Sequence, residues 1–278
     1  MVHANWRCGR FEFNLKRPLL MGIVNVTPDS FSDGGQHPSA SQAIEHAWQL
    51  VKSGAQLIDV GGESTRPGAA PVPVSVELER VLPVVKALKD CGAAISVDTC
   101  KPAVMRAALE AGADMINDIM GMTDDVARQI VADHPNCGVC IMHMQGEPRT
   151  MQINPQYQDV VQDVLAMLTH QAQRLESDGV TSDRICIDPG FGFGKTLDQN
   201  LDLMRALPRF CDSGYPVLLG VSRKSMIGAI TGRPVDQRIA GSLSAALAGV
   251  ARGARIVRVH DVAETLDAIK VWQAVEQW

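Results

Sequence analysis

The sequence predicts α/β architecture: a single (β/α)8 TIM barrel over residues 1–278, with a short N-terminal hairpin before the first barrel strand. Three observations predict it. Eight short apolar runs recur at 19–25, 57–61, 94–98, 114–118, 138–143, 185–188, 217–221 and 255–260. Continuous Val/Ile/Leu runs of this kind, without polar alternation, suit parallel strands covered on both faces. Segments of helical periodicity lie among them, for example at 40–53, 76–90, 102–111, 156–178, 236–252 and 262–276. No long polar linker or break in composition divides the series, which favours one closed barrel over the alternative, a doubly wound open sheet. The 278 residues also match such a barrel, for which about 250 is typical.

Taken in chain order, residues 1–18 precede the first strand, and Phe11-Glu12-Phe13-Asn14-Leu15 alternates as a strand does. A hairpin here would plug the bottom of the barrel. Each later run finishes on polar or glycine residues: Asn25, Asp59-Val60-Gly61-Gly62, Asp98, Asn117-Asp118, His143, Asp188, Ser222 and His260. In a barrel these ends share one rim, where barrel enzymes build their active sites. Cys137-Gly138-Val139-Cys140 has redox spacing, yet it leads into the apolar Ile141-Met142, where a thioredoxin-type motif would open a helix; it reads as core.

Composition narrows the function. Apolar residues make up 46% and charged residues 21%, which excludes a mainly disordered chain. The 26 Lys+Arg against 31 Asp+Glu give a net charge of -5, which argues against a nucleic-acid partner but leaves room for a small basic pocket. Seven scattered cysteines do not form a disulfide framework. No apolar run is long enough to cross a bilayer, and Met1 to Leu15 lack a signal-peptide stretch, so no membrane association and a cytoplasmic location are expected.

Four segments carry chemistry. Asn25-Val26-Thr27-Pro28-Asp29-Ser30-Phe31-Ser32-Asp33-Gly34-Gly35 follows the first strand and reads either as a surface turn or as a functional loop. Gly61-Gly62-Glu63-Ser64-Thr65-Arg66-Pro67-Gly68 sets one arginine among hydroxyls and glycines, an arrangement suited to an oxyanion, although a loop arginine is commonly just solvated. Gly194-Lys195-Thr196 ends like a phosphate-binding loop. Pro189, however, stands where that loop needs glycine, so nucleotide binding is disfavoured and Asp188 and Phe193 are expected to face a flat ligand. Ser222-Arg223-Lys224 lacks nucleophile spacing; Ser222, Lys224, Arg258 and His260 instead supply donors for a negative group. Asp98, Asn117 and Asp188, from three strands, either cap the barrel interior or bracket a heterocycle with alternating donors and acceptors.

Together these segments resemble the dihydropteroate synthase family, and the match also takes in Met21-Gly22-Ile23-Val24, Ser96-Val97-Asp98-Thr99, Met142-His143-Met144-Gln145-Gly146 and Arg258-Val259-His260-Asp261-Val262. The order and spacing run through nearly the whole chain. The resemblance implies transfer of 6-hydroxymethyl-7,8-dihydropterin from its diphosphate to 4-aminobenzoate, giving 7,8-dihydropteroate in folate biosynthesis. It further implies that Asp98, Asn117, Asp188 and Lys224 bond the pterin, that Ile119, Met142, Phe193 and Gly220 line its pocket, and that Arg258 covers a ring face. Asn25, Thr65, Arg66, Arg258 and His260 would hold the diphosphate, with Asn25 on Mg²⁺. Ser222 would take the aminobenzoate carboxylate, with Phe31, Pro67 and Phe193 on its ring, and Asp33 would join Asp98 in stabilising a cationic intermediate. Sulfonamides, which mimic aminobenzoate, are expected as competitive inhibitors, and a homodimer through helices late in the chain is expected. A related pterin-barrel methyltransferase and a non-catalytic pterin-binding protein are the alternatives.

Overall fold

A computed structural model of the chain describes residues 5–27, 40–65 and 68–276. The chain opens on an antiparallel hairpin of β1 (Asn5–Cys8) and β2 (Phe11–Asn14), in which Trp6 faces Phe13. Eight parallel strands follow: β3 (Leu19–Asn25), β4 (Leu57–Gly61), β5 (Ala94–Asp98), β6 (Met115–Asp118), β7 (Gly138–Met142), β8 (Ile185–Asp188), β9 (Leu218–Leu219) and β10 (Ile256–Val259). Their order is β8-β7-β6-β5-β4-β3-β10-β9, and a parallel bridge between Ile187 and Val217 joins the two ends. The Ile187 amide completes that closure by donating to the Pro216 carbonyl at 2.9 Å. The predicted barrel and hairpin are both present.

Strand alternation sorts the core into two layers. Leu20, Val24, Ile58, Val60, Ile95 and Val97 face outward into the cluster shared with the helices. Met21, Leu57, Ala94, Met115, Cys140, Cys186, Leu218 and Ile256, one from each barrel strand, fill the lower interior together with Trp6, Cys8 and Leu15 of the hairpin segment. The hairpin therefore plugs the bottom, as expected. Arg10 fastens it there, with Nε and Nη2 each 2.9 Å from the buried Asp114 carboxylate. Two residues further along each strand, the same inward direction belongs to Ile23, Asp59, Ser96, Asn117, Met142, Asp188, Gly220 and Arg258. The interior thus changes from apolar to polar within one repeat.

Ten helices are found among the described residues: α1 (Ala40–Lys52), α2 (Val74–Leu88), α3 (Pro102–Glu110), α4 (Asp125–Asp133), α5 (Val160–Ser177), α6 (Leu197–Arg205), α7 (Leu207–Cys211), α8 (Ser225–Thr231), α9 (Ile239–Ala251) and α10 (Val262–Glu276). Asp124 caps α4 and Asp159 caps α5, each accepting from two backbone amides of the first turn. Thr196 and Gln199 form a reciprocal capping box on α6. None of the seven cysteines is paired, and Cys137 and Cys140 are fully buried, in keeping with their reading as core. Among the described residues, no helix is long and apolar enough to cross a membrane.

Candidate active site

The polar layer is organised around Asp59, which is fully buried. Ser96 Oγ donates to its Oδ1 at 2.6 Å, while Asn117 Nδ2 and Arg258 Nε donate to its Oδ2 at 3.1 and 2.6 Å. Arg258 reaches on to Asp98, with Nη2 at 2.9 Å from Oδ2. One arginine is thus spread flat across two carboxylates from β4 and β5. Burial works against its charge, but Asp59 and Asp98 more than offset that and push its pKa above the usual value. The Asp98 carboxyl is shifted against its charged form. Burial and the neighbouring Asp59 raise it to about 7, with Arg258 opposing. Its Oδ1 is buried with no hydrogen-bond partner among the described residues, an acceptor left over for a ligand.

Across the mouth, Asp188 ends β8, and its Oδ1 accepts from the Gly190 amide at 2.7 Å. A Cβ placed on Gly220 would stand 3.6 Å from Asp188 Oδ2 and 3.9 Å from Lys224 Nζ, so both side chains converge over this glycine. Lys224 Nζ lies 4.4 Å from the Phe193 ring centre and donates to the Phe191 carbonyl. Burial pulls its pKa down to about 8; Asp188 and Asp98 hold it up, and Arg258 adds to the fall. Asp98 and Arg258 thus act electrostatically on Lys224, as does Asp188, so the two polar groups are near neighbours. Ile119 and Met142, both buried, follow and finish β6 and β7 beside them.

At the rim, the Ser222 hydroxyl meets His260 Nδ1 at 3.0 Å and accepts from the His260 amide at 3.3 Å. Ser222 and His260 therefore act as a pair. Arg223 between Ser222 and Lys224 adopts φ 58, a left-handed conformation unusual for a side chain of this size. Its guanidinium is clamped by both oxygens of Asp261, Arg223 N donates to Ser242 Oγ at 2.9 Å, and Arg238 donates to its carbonyl at 3.0 Å. These contacts hold the turn between Ser222, which meets His260, and Lys224, which meets Phe191 and Phe193. Asn25, at the end of β3, brings Oδ1 to 3.6 Å from a Cβ placed on Gly61, beside the Asp98 side chain, and Thr65 stands half-buried past β4. Phe31, Asp33, Arg66 and Pro67 lie outside the described residues.

Asp98, Asn117, Asp188, Lys224 and Arg258 are thus brought together, with Ser222 and His260 at the adjacent strand ends. Reading the motifs assigned no role to Asp59, although an acid two positions past Leu57 on a barrel strand is where an inward polar residue falls. It also passed over Arg223–Asp261 and the Lys101–Glu63–Glu77 cluster, in which Lys101 Nζ joins the second loop to α2, at 2.6 Å from Glu77 Oε2. Contacts this distant in sequence leave no local signal. Chemically, the site offers carboxylate and amide acceptors and donors at fixed points, with cationic donors beside them.

Residues 21–260 match the family described as pterin binding enzyme. The dihydropteroate synthase of Neisseria meningitidis serogroup C is 51% identical over 279 residues, covering 99% of each chain. The Burkholderia cenocepacia dihydropteroate synthase, solved with 7,8-dihydropteroate, superposes with a TM-score of 0.90 at 51% identity, covering 100% of this chain and 98% of that one. The Xanthomonas albilineans enzyme solved with 4-aminobenzoic acid gives a TM-score of 0.93 at 49% identity over 99% of both chains. The Yersinia pestis enzyme solved with a sulfonamide drug gives 0.93 at 43% identity, covering 99% and 100%. With this agreement in sequence and fold over its full length, the chain belongs to the dihydropteroate synthases, a family of pterin-binding transferases.

Proposed function

We propose that this chain condenses 6-hydroxymethyl-7,8-dihydropterin diphosphate with 4-aminobenzoate to give 7,8-dihydropteroate and diphosphate, and that the polar mouth of the barrel is where it does so. The observation that carries the reading is the convergence of Asp98, Asn117, Asp188 and Lys224 around the half-buried Arg258, with an acceptor on Asp98 that has no partner among the described residues. A pterin presents ring N–H and amino donors beside carbonyl and ring-nitrogen acceptors. Carboxylates at Asp98 and Asp188, the Asn117 amide and the Lys224 ammonium complement that pattern. Ile119, Met142, Phe193 and Gly220 would line the ring, and Arg258 would lie on its face.

No protein nucleophile is required. Breaking the bond from the pterin methylene to the diphosphate oxygen leaves negative charge on the departing group. Thr65, Arg66, Arg258 and His260 would stabilise that charge through positioned donors. The methylene becomes cationic, and Asp98 together with Asp33 would offset its charge. The arylamine nitrogen, with its carboxylate held at Ser222 and its ring against Phe31, Pro67 and Phe193, attacks the methylene and then loses a proton. The contact between Ser222 and His260 supports placing the aminobenzoate carboxylate beside the diphosphate.

The residues fit Mg²⁺ as a companion of the diphosphate. No group of three or more His, Cys, Asp or Glu able to hold a metal is present among the described residues. The Asn25 amide oxygen at the rim suits a cation that keeps several waters and takes about one or two protein oxygens besides phosphate. When bound, Mg²⁺ would neutralise charge on the leaving diphosphate.

Residues 1–278 form one pterin-binding domain, supported by closure of a single sheet. The unpaired cysteines support a cytoplasmic location. Sulfonamides would compete with 4-aminobenzoate, as the Yersinia pestis complex suggests. The exposed Ile239, Val271 and Val275 on α9 and α10 support a homodimer through these helices; a single monomeric species in light scattering would refute it. The division of labour within the site is tested by Arg66→Ala. Turnover should fall by about a hundredfold or more while free 6-hydroxymethyl-7,8-dihydropterin still binds. Equal loss of both would remove Arg66 from the diphosphate.

A further inference from the structure

Gly194-Lys195-Thr196 serves no phosphate loop: Thr196 caps α6, and Lys195 turns inward until only 3% of it is exposed. A lysine buried to this extent needs its protons matched. Lys195 Nζ lies 2.9 Å from the Gly190 carbonyl, 2.9 Å from the Phe193 carbonyl, 3.2 Å from the His143 carbonyl and 3.1 Å from His143 Nδ1. Burial lowers the Lys195 pKa to about 7, with Asp188 opposing; in its protonated form the amine has three protons and no lone pair, so every donor is used. Burial, with Lys195 nearby, pulls the His143 pKa down to about 3; its neutral ring can therefore accept at Nδ1.

The crowding of carbonyls around this amine comes from the loop itself. Gly190 has φ +70, and a Cβ on it would stand 1.9 Å from the His143 carbonyl oxygen. Gly194 has φ +64, and its Cβ would stand 2.7 Å from the Gln145 carbonyl oxygen. The loop after β8 is thus pressed backbone to backbone against the tip of β7. Carbonyl oxygens of both segments point to one spot, where their dipoles would repel without a donor between them.

Two pterin-facing groups hang from the same loop. The Gly190 peptide that gives its carbonyl to Lys195 is followed by a turn closed by Phe193 N on Gly190 O at 3.1 Å, while the Gly190 amide holds Asp188 Oδ1 at 2.7 Å. The Phe193 carbonyl takes another Lys195 proton, and its ring is the one that meets Lys224. We propose that Lys195 is a positioning residue whose ammonium ties the loop after β8 to the tip of β7 and so fixes Asp188 and Phe193 for the pterin. The inference rests on the pterin role proposed above for Asp188.

The test compares Lys195→Met, Lys195→Gln and Asp188→Asn in the full chain, by calorimetric titration with 6-hydroxymethyl-7,8-dihydropterin and by thermal melting. Lys195→Met, which keeps bulk and loses every donor, should weaken pterin binding by at least about tenfold at a temperature where the protein is folded. Lys195→Gln, neutral but with two amide protons, should recover part of that loss, a graded response to donors that a volume-filling role would not produce. Pterin affinity within about twofold of the parent in folded Lys195→Met overturns the proposal. If that variant does not fold, Lys195→Gln carries the same criterion. Parent-like binding by Asp188→Asn overturns the pterin reading and this inference with it; loss in Asp188→Asn with none in Lys195→Met overturns the clamp alone.

Discussion

Asp98 carries the cost of the site in a single side chain. Largely buried beside Asp59, it has a carboxyl raised from 3.8 to about 7, and one oxygen lacks a partner among the described residues. A carboxyl raised in the folded state lends stability that is present in full below 3.8 and lost as pH climbs through about 7. The unliganded protein therefore bears the whole penalty at about pH 8 and little at about pH 4. Asp98→Asn should raise the melting temperature at the higher pH by more than at the lower one, while pterin binding is lost. Equal shifts at both pH values would show that the carboxyl is not raised. Asp98, Asn117, Asp188 and Lys224 were legible in the sequence because each stands at or just past a strand end in a polar or glycine-rich run. Asp59 lies in the same layer as Asn117 and Asp188, and its importance lies in Ser96, Asn117 and Arg258 arriving from three other strands. Strand stagger decides that meeting, and no local pattern records it.

At the level of elements, the loop after β8 works because its glycines admit contacts that no other residue allows. Gly190→Ala would combine a left-handed φ of +70 with a methyl group 1.9 Å from the His143 carbonyl oxygen. A destabilisation of more than about 2 kcal/mol in denaturant unfolding is expected, with pterin affinity reduced as well. A stable variant with parent-like pterin affinity would mean that the loop can re-form away from β7. The strands were readable because continuous apolar runs survive burial on both faces, although the 217–221 run keeps regular pairing only over Leu218–Leu219. Helices α4, α6, α7 and α8 were less readable for a physical reason. They are short, and α6 buries only Asn200, Leu203 and Met204, too few positions to repeat a period.

Over the whole molecule, stability and chemistry occupy opposite ends of one barrel. Trp6 and the hairpin seal an apolar lower interior built from one residue of each strand, and the polar layer two positions higher opens to the rim. The lower end keeps the strands in register, which lets Asp59, Asp98, Arg258, Asp188 and Lys224 be held in a desolvated mouth. Such a mouth suits a reaction in which a leaving group takes negative charge and a carbon takes positive charge, with water kept out. The most direct measurement incubates the purified protein with the pterin diphosphate, Mg²⁺ and 4-aminobenzoate, omits each in turn, and follows diphosphate and dihydropteroate together. Equal amounts of both products are expected, formed only when all three are present. Pterin binding with no diphosphate release from the complete mixture would contradict the proposed condensation.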